Sequence, residues 1–209
     1  MRVKLALVAA LALMTGMAGA ETPAEVPGPA PQQLMETTSA RLLNALEADR
    51  ETYRKDVRKL TDLVETELLP HFDTEYTARL VLGKYWRDAS PSQRNRFIKA
   101  FYHSLLGKYG TAVAGFTSDR MKMLPFQGDL ASGRATVRTE IQLSDGTMVP
   151  VNYSLRATAS GWKAWDVTIE GISYVKNFRN DIGAEVSQRG LDAVIARLEA
   201  EARAGGLGS

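Results

Sequence analysis

Three stretches of the chain differ in how apolar and polar positions alternate. From Leu34 to Tyr109 apolar residues recur every three or four positions, the spacing that lines one face of a helix. Met35, Leu42, Leu46 and Tyr53 form a stripe, continued by Val57, Leu60, Val64 and Leu68 until Pro70 ends the run. Asp73 is placed to cap a short helix through Leu82, and Gly83 to terminate it. Ser90-Pro91-Ser92-Gln93 is the strongest start signal in the chain. Serine sits at the N-cap, proline at the first helical position and glutamine at the third, a capping box ahead of an apolar run. Phe97, Phe101, Leu105 and Tyr109 then follow at every fourth residue, with Ile98, Tyr102 and Leu106 alongside.

After Gly115 the period falls to two. Val137, Thr139, Ile141 and Leu143 alternate with Thr136, Arg138, Glu140 and Gln142, as in a half-buried strand. Asp145-Gly146, within Ser144–Thr147, is the pair favoured in type I′ hairpin turns. Val149, Val151, Tyr153 and Leu155 form the returning strand. Ser160-Gly161 turns again into a third strand carrying Trp165, Val167 and Ile169. An earlier strand around Met121 to Phe126 is weakened by Pro125. Helix then returns after Gly171, with Val175, Phe178, Ile182 and Val186 on one stripe. A last helix from about Gly190 carries Leu191, Val194, Ile195 and Leu198. Helices, an antiparallel meander and helices again predict an α+β domain, with the helices segregated on one face of the sheet.

The two ends stand outside that domain. Met1 to Lys4 is basic, Leu5 to Met14 is apolar, and Ala18-Gly19-Ala20 supplies a small-residue cleavage site. This is the layout of an export signal cut after Ala20; its apolar run falls well short of the roughly twenty residues that span a bilayer. Residues 21–33 hold four of the chain's eight prolines and are expected to form an extended, mobile leader. The domain is expected to run over 34–203, with 204–209 a frayed, glycine-rich tail.

Charge looks informative until the signal is removed. The full chain has 26 Lys and Arg against 24 Asp and Glu, a formal +2. Residues 1–20 include Arg2 and Lys4 and no acid, so the mature chain carries 24 of each sign. The basic excess of a nucleic-acid binder is missing. The neutral balance is unevenly spread: Asp62, Glu65, Glu67, Asp73 and Glu75 fall in one stretch, and Lys84, Arg87, Arg94, Arg96, Lys99 and Lys108 in the next. Such segregation can steer docking to partners of opposite charge.

Catalytic signals are sparse. The chain has no cysteine, which removes disulfides, thiolate metal sites and thiol nucleophiles together. It has no Gly-rich phosphate loop, G-x-S-x-G elbow or H-E-x-x-H. His71 and His103 stand alone. Asp166 would serve an isomerase-like site only if it pointed into a cavity, against the alternation that puts it opposite Trp165 and Val167. Bulk apolar surface is abundant instead. Tyr85, Trp86, Phe97, Phe101, Tyr102 and Tyr109 are six of the sixteen aromatics and fall in one short window. Apolar helix faces over a concave sheet can make core, or can leave room for an apolar ligand.

Several blocks carry a resemblance. Leu68-Leu69-Pro70-His71-Phe72-Asp73 followed by Leu80-Val81-Leu82-Gly83-Lys84-Tyr85-Trp86 resembles the MlaC family, also called the toluene-tolerance family. The Ser90–Gln93 box with Phe97, Phe101, Leu105, Leu106 and Tyr109 is similar to its next block. Trp162 to Ser173 resembles its third and most diagnostic block, and Arg179 with Gly190-Leu191-Asp192 and Leu198 its closing helices. The resemblance spans about Leu34 to Leu198.

It implies a periplasmic phospholipid carrier, a monomer with no enzymatic activity, cofactor or metal. Such a carrier shuttles lipid between an outer-membrane lipoprotein complex and an inner-membrane ABC transporter with an MCE-domain subunit, maintaining outer-membrane asymmetry. The implied fold is a curved, mainly antiparallel sheet of about four strands, wrapped by helices with acyl chains between. A related branch, HpnM, implies hopanoid-associated lipid as the alternative cargo; a periplasmic adaptor or a small cone-fold enzyme are the alternatives to a carrier. Two sixteen-carbon tails expose about 30 methylenes, so their burial is worth roughly 24 kcal/mol gross. The faces expected to point inward give the candidate lipid-binding residues. They are Leu82, Tyr85, Phe97, Phe101, Ile172 and Val175 around the helices, and Val137, Ile141, Val151, Tyr153, Trp165 and Val167 on the sheet.

Overall fold

The computed structural model describes residues 26–114, 117–143 and 145–205. The export signal, its cleavage site, residues 21–25 of the leader and the last four residues lie outside them, as does Ser144 of the first hairpin.

The helical half begins earlier than its periodicity indicates. Helix α1 spans Pro31–Ala48, so residues 31–33, assigned above to the leader, are its first turn. Proline is suited to that turn because its missing N–H has no intrahelical partner there. The leader is also not wholly detached. Val26 packs against the sheet, and Pro27 passes so close to Gly161 that a Cβ there would lie 2.8 Å from the Pro27 carbonyl oxygen. The long apolar stripe then breaks twice, giving α2 (Arg50–Lys55) and α3 (Val57–Glu67). Asp56 accepts the backbone N–H groups of Arg58 and Lys59 and so starts α3. The breaks let α3 pack back on α1, where Leu43 and Leu46 meet Leu60 and Val64.

The next helices follow their sequence signals. A 3₁₀ turn at Leu69–His71 leads to α4 (Thr74–Leu82), which Asp73 caps through the Tyr76 N–H at 3.1 Å. It ends at Gly83, whose φ of +55° suits a residue without a Cβ. After α5 (Tyr85–Asp88), the capping box forms as expected: Gln93 N–H donates to Ser90 Oγ at 3.2 Å, and Ser90 N–H to Gln93 Oε1 at 2.9 Å. It opens α6 (Pro91–Ala114).

The sheet has five antiparallel strands in sequence order and stays open. They are β1 (Met121–Met123), β2 (Arg134–Gln142), β3 (Met148–Thr158), β4 (Gly161–Ile169) and β5 (Ile172–Ser173). β1 stops short of Pro125, and β5 is the strand that the periodicity omits. The β2–β3 connection is not a two-residue Asp145-Gly146 turn: the Gly146 N–H donates to the Leu143 carbonyl at 3.0 Å and Leu143 N–H to the Thr147 carbonyl at 2.8 Å, so Gly146, at φ +88°, closes the turn. Helices α7 (Tyr174–Arg189) and α8 (Leu191–Ala204) close the fold.

Helices meet both faces of the sheet, not one as expected. Directly paired residues of an antiparallel ladder project to the same side. Val137, Tyr153 and Val167 therefore share a face, together with Ala135, Leu155 and Ala164. Leu34 and Met35 of α1 pack on this face. Arg156 and Asp166 project to the other side and reach different helices. Arg156 Nε donates to Asp73 Oδ2 at 2.6 Å, tying β3 to the cap of α4. Asp166 accepts Ser173 Oγ–H at 2.6 Å and Val175 N–H at 3.0 Å, and so holds the start of α7.

Each of these carboxylates accepts one backbone N–H at a helix start and one side-chain donor, Arg156 for Asp73 and the α7 cap Ser173 for Asp166. Removing one leaves buried donors unpaired. Asp73→Ala and Asp166→Ala should each lower unfolding stability by about 2 kcal/mol, measured by urea denaturation. A change below a few tenths would show that these contacts do not anchor the helices.

Candidate functional site

The sheet face under α1 is an apolar strip. Its innermost row is Ala135, Leu155 and Ala164, all buried. The next is Val137, Tyr153 and Val167, followed by Thr139, Val151 and Ile169, then Ile141 beside Val149. Thr139 does not interrupt it, because its hydroxyl donates back to the Val151 carbonyl at 2.8 Å. Burial pushes the pKa of the Tyr153 hydroxyl up, and the Thr139 hydroxyl offsets this in part. Toward the open end Ile141, Val167 and Ile169 are only half-buried. Ile169 pairs with Ile172, which is 62% exposed. The strip thus runs from core to solvent. Ile172, expected inside a pocket, sits at its outer end.

The twelve candidates do not line one cavity. Val137, Ile141, Val151, Tyr153 and Val167 share the sheet face. Leu82, Tyr85, Phe97, Phe101 and Val175 belong to a separate core made by α4 to α8. Trp165 goes with neither group. The β3–β4 register shifts between Ser154 and Leu155, leaving Trp165 as an extra residue. Its ring stands edge-on to Tyr76 of α4, with centroids 5.6 Å apart. Asp166, expected to face solvent or a neighbouring loop, keeps its place opposite Val167 in the alternation but is buried, with both oxygens engaged by Ser173 and Val175 at the start of α7.

The helical core is dense in aromatics. Phe97 and Phe101 stack at 5.6 Å, and Phe178 meets Phe101 edge-on at 5.2 Å. The Tyr102 hydroxyl is enclosed here without a hydrogen-bond partner, and burial pushes its pKa up to about 12. Thr77 lies near, but its own proton is donated to the Trp165 carbonyl at 2.8 Å. Between α6, α7 and α8 lies a cavity of about 590 Å³, with Phe101, Leu105, Phe178 and Leu198 in its wall and Lys108, Asp181, Arg197 and Glu201 beside them. Phe101 alone of the twelve candidates borders it.

The charge stretches are partly consumed within the fold. Glu65 pairs with His103 at 2.8 Å, Asp73 with Arg156, and Arg96 with Glu199 at 2.9 Å. Arg94 donates to the Trp86 and Arg87 carbonyls. Among the described residues no three His, Asp or Glu side chains gather as a metal site. No helix among them is long and apolar enough to cross a membrane.

An open antiparallel sheet with one apolar face, flanked by helices, is also the architecture of a phospholipid-binding protein from Ralstonia solanacearum solved in complex with a phospholipid. The two superpose with a TM-score of 0.77 over 84% of this chain and 98% of that one; at 22% identity the likeness speaks for the fold. Sequence decides the family. The family model described as MlaC protein matches residues 36–200. The chain belongs to the MlaC family. Toluene tolerance protein Ttg2D of Pseudomonas putida is 29% identical over 189 residues, covering 90% of this chain and 83% of that one. The intermembrane phospholipid transport system binding protein MlaC of Haemophilus influenzae is 26% identical over 195 residues, covering 91% and 87%.

In this MlaC-family chain, periodicity misses the tie of Arg156 to Asp73, the engagement of Asp166 at the start of α7, and the isolation of Tyr102. The Tyr102 hydroxyl is the cheapest to test. An enclosed, unpartnered hydroxyl is a net cost, so Tyr102→Phe should raise unfolding stability by about 1 kcal/mol. A loss of similar size would reveal a hydrogen bond that the fold depends on.

Proposed function

We propose that this MlaC-family protein is a periplasmic phospholipid carrier, exported by a signal cleaved after Ala20. It holds acyl chains against the sheet face under α1. It shuttles lipid between an outer-membrane lipoprotein complex and an inner-membrane ABC transporter with an MCE-domain subunit, maintaining outer-membrane lipid asymmetry. It acts as a monomer and is not an enzyme.

One observation supports this reading: the apolar strip runs continuously from buried Val137, beside half-buried Tyr153, to exposed Ile172. A chain threaded along it would leave water without meeting an unpaired polar group. Leu34 and Met35 cover its inner end, so tails enter as α1 moves off the sheet and takes that cover with it. Acyl chains replace one apolar partner by another, which keeps the net change small although the gross burial is large. The names of the Haemophilus influenzae relative and the Ralstonia solanacearum neighbour support phospholipid as the cargo. The engagement of both Asp166 oxygens with the start of α7 supports a structural role for that carboxylate and not a catalytic one.

Native mass spectrometry of the purified mature protein should show co-purified phospholipid. Val151 lies midway along the strip, so Val151→Trp should reduce lipid occupancy at least fivefold while circular dichroism stays folded. The milder Val167→Phe, at a half-buried position, should give a smaller reduction. Folded variants with unchanged lipid would place the chains elsewhere; wild-type protein that neither carries nor takes up lipid would end the carrier proposal.

A further inference from the structure

A second cavity, of about 310 Å³, lies at the opposite end of β4 from Ile172. Three separate segments build it: the first half of α1, the 3₁₀ turn at Leu69–His71, and the β3–β4 turn. Leader residues 27–29 close one side, held there by the tight passage of Pro27 over Gly161. Helical spacing puts Leu34, Thr37, Thr38 and Arg41 of α1 on the wall facing it. His71 enters from the turn, and Lys163 from β4. Trp162 forms an apolar floor.

The polar side chains of this cavity are lopsided. Arg41, Lys163 and His71 line it and no carboxylate does. Among the described residues neither Arg41, which is exposed, nor half-buried Lys163 is in an ion pair, so the cationic wall of the cavity has no carboxylate partner. The His71 pKa is lowered, by burial first and then by Arg41 and Lys163, against a smaller opposing effect of Glu67 from α3. The histidine is therefore sensing the two cations. A guanidinium fork, an ammonium, an imidazole and two threonine hydroxyls supply more donors than the two oxygens of a carboxylate accept. They match an anion with three or more oxygens, and arginine suits it geometrically as well as by charge.

We propose that this cavity binds a phosphate group, held by Arg41, Lys163 and His71 with Thr37 and Thr38 at its edge. The volume is at the lower end of the roughly 300–1,000 Å³ typical of small-molecule sites, and it admits a phosphate with a small ester substituent lying on Trp162. The ligand is either a free phosphate or the phosphate of a lipid headgroup; the chemistry of recognition is the same. The site does not depend on where acyl chains lie, because inorganic phosphate probes it without any.

The two histidines give an internal readout, since His103 pairs with Glu65 outside the cavity. Inorganic phosphate titrated into mature protein at constant ionic strength should shift the His71 imidazole resonances saturably and leave those of His103 unmoved. An anion favours the charged imidazole, so the His71 pKa should rise on binding. The double variant Arg41→Gln/Lys163→Gln should weaken phosphate roughly tenfold, while Arg41→Lys, which keeps the charge, should lose less. Thermal unfolding confirms that each variant is folded. Dihexanoylphosphatidylglycerol below its micelle concentration separates the sources. Displacement of phosphate from His71 by this lipid would assign the site to a headgroup, and saturable phosphate binding without such displacement would assign it to the free anion; either result supports a phosphate site. A His71 signal indifferent to phosphate and to the lipid, or binding unchanged in the folded double variant, would overturn the proposal whatever the protein's lipid content.

Discussion

An open sheet with one apolar face cannot leave that face to water. The rows from Ala135–Leu155–Ala164 to Thr139–Val151–Ile169 form a nearly unbroken apolar surface, and burying such surface is the dominant favourable term in folding. Something must always cover it. In this structure Leu34 and Met35 of α1 lie over its inner end, while Leu43, Leu46, Leu60 and Val64 form a separate core between α1 and α3. The proposed carrier function follows from that constraint: acyl chains are an alternative occupant of a surface that needs one.

The two sides of the sheet are held differently, and this sets which part can exchange. On the far side α4 and α7 are tied by directional bonds, Arg156 to Asp73 and Asp166 to Ser173 and Val175. Those bonds are lost if the helices move. The contact of α1 through Leu34 and Met35 is apolar and non-directional, so another apolar partner can substitute. In the proposed carrier, the aromatic core of α4 to α8 would serve as a fixed body against which the α1 side opens. The cationic cavity lies between the first half of α1 and the start of β4.

Much of this fold was legible from local signals. The Ser90–Gln93 box, the Asp73 cap, the Gly83 stop and the alternation of β2 and β3 each depend on neighbours within a few residues, and all appear as expected. What escaped depends on residues distant in sequence. A one-residue shift between Ser154 and Leu155 moves Trp165 against α4, and Asp166 is buried by contacts with Ser173 and Val175; period-two reasoning contains no term for either. Helices expected to enclose a pocket with the sheet form a core of their own, because periodicity identifies an apolar face and not its partner. Ile172 reads as core from its composition, yet the two-residue β5 leaves it at the edge. The meeting of Arg41, His71 and Lys163 likewise had no signature in any local window.

The central claim is that lipid tails lie on the sheet face beneath α1. Photocrosslinking with a phospholipid carrying a diazirine near the end of one acyl chain tests it most directly. Peptide mapping should place the adducts on β2, β3 and β4 at Val137, Val151, Tyr153 or Val167. Adducts concentrated on Phe101, Leu105, Phe178 or Leu198, around the cavity between α6, α7 and α8, would contradict it.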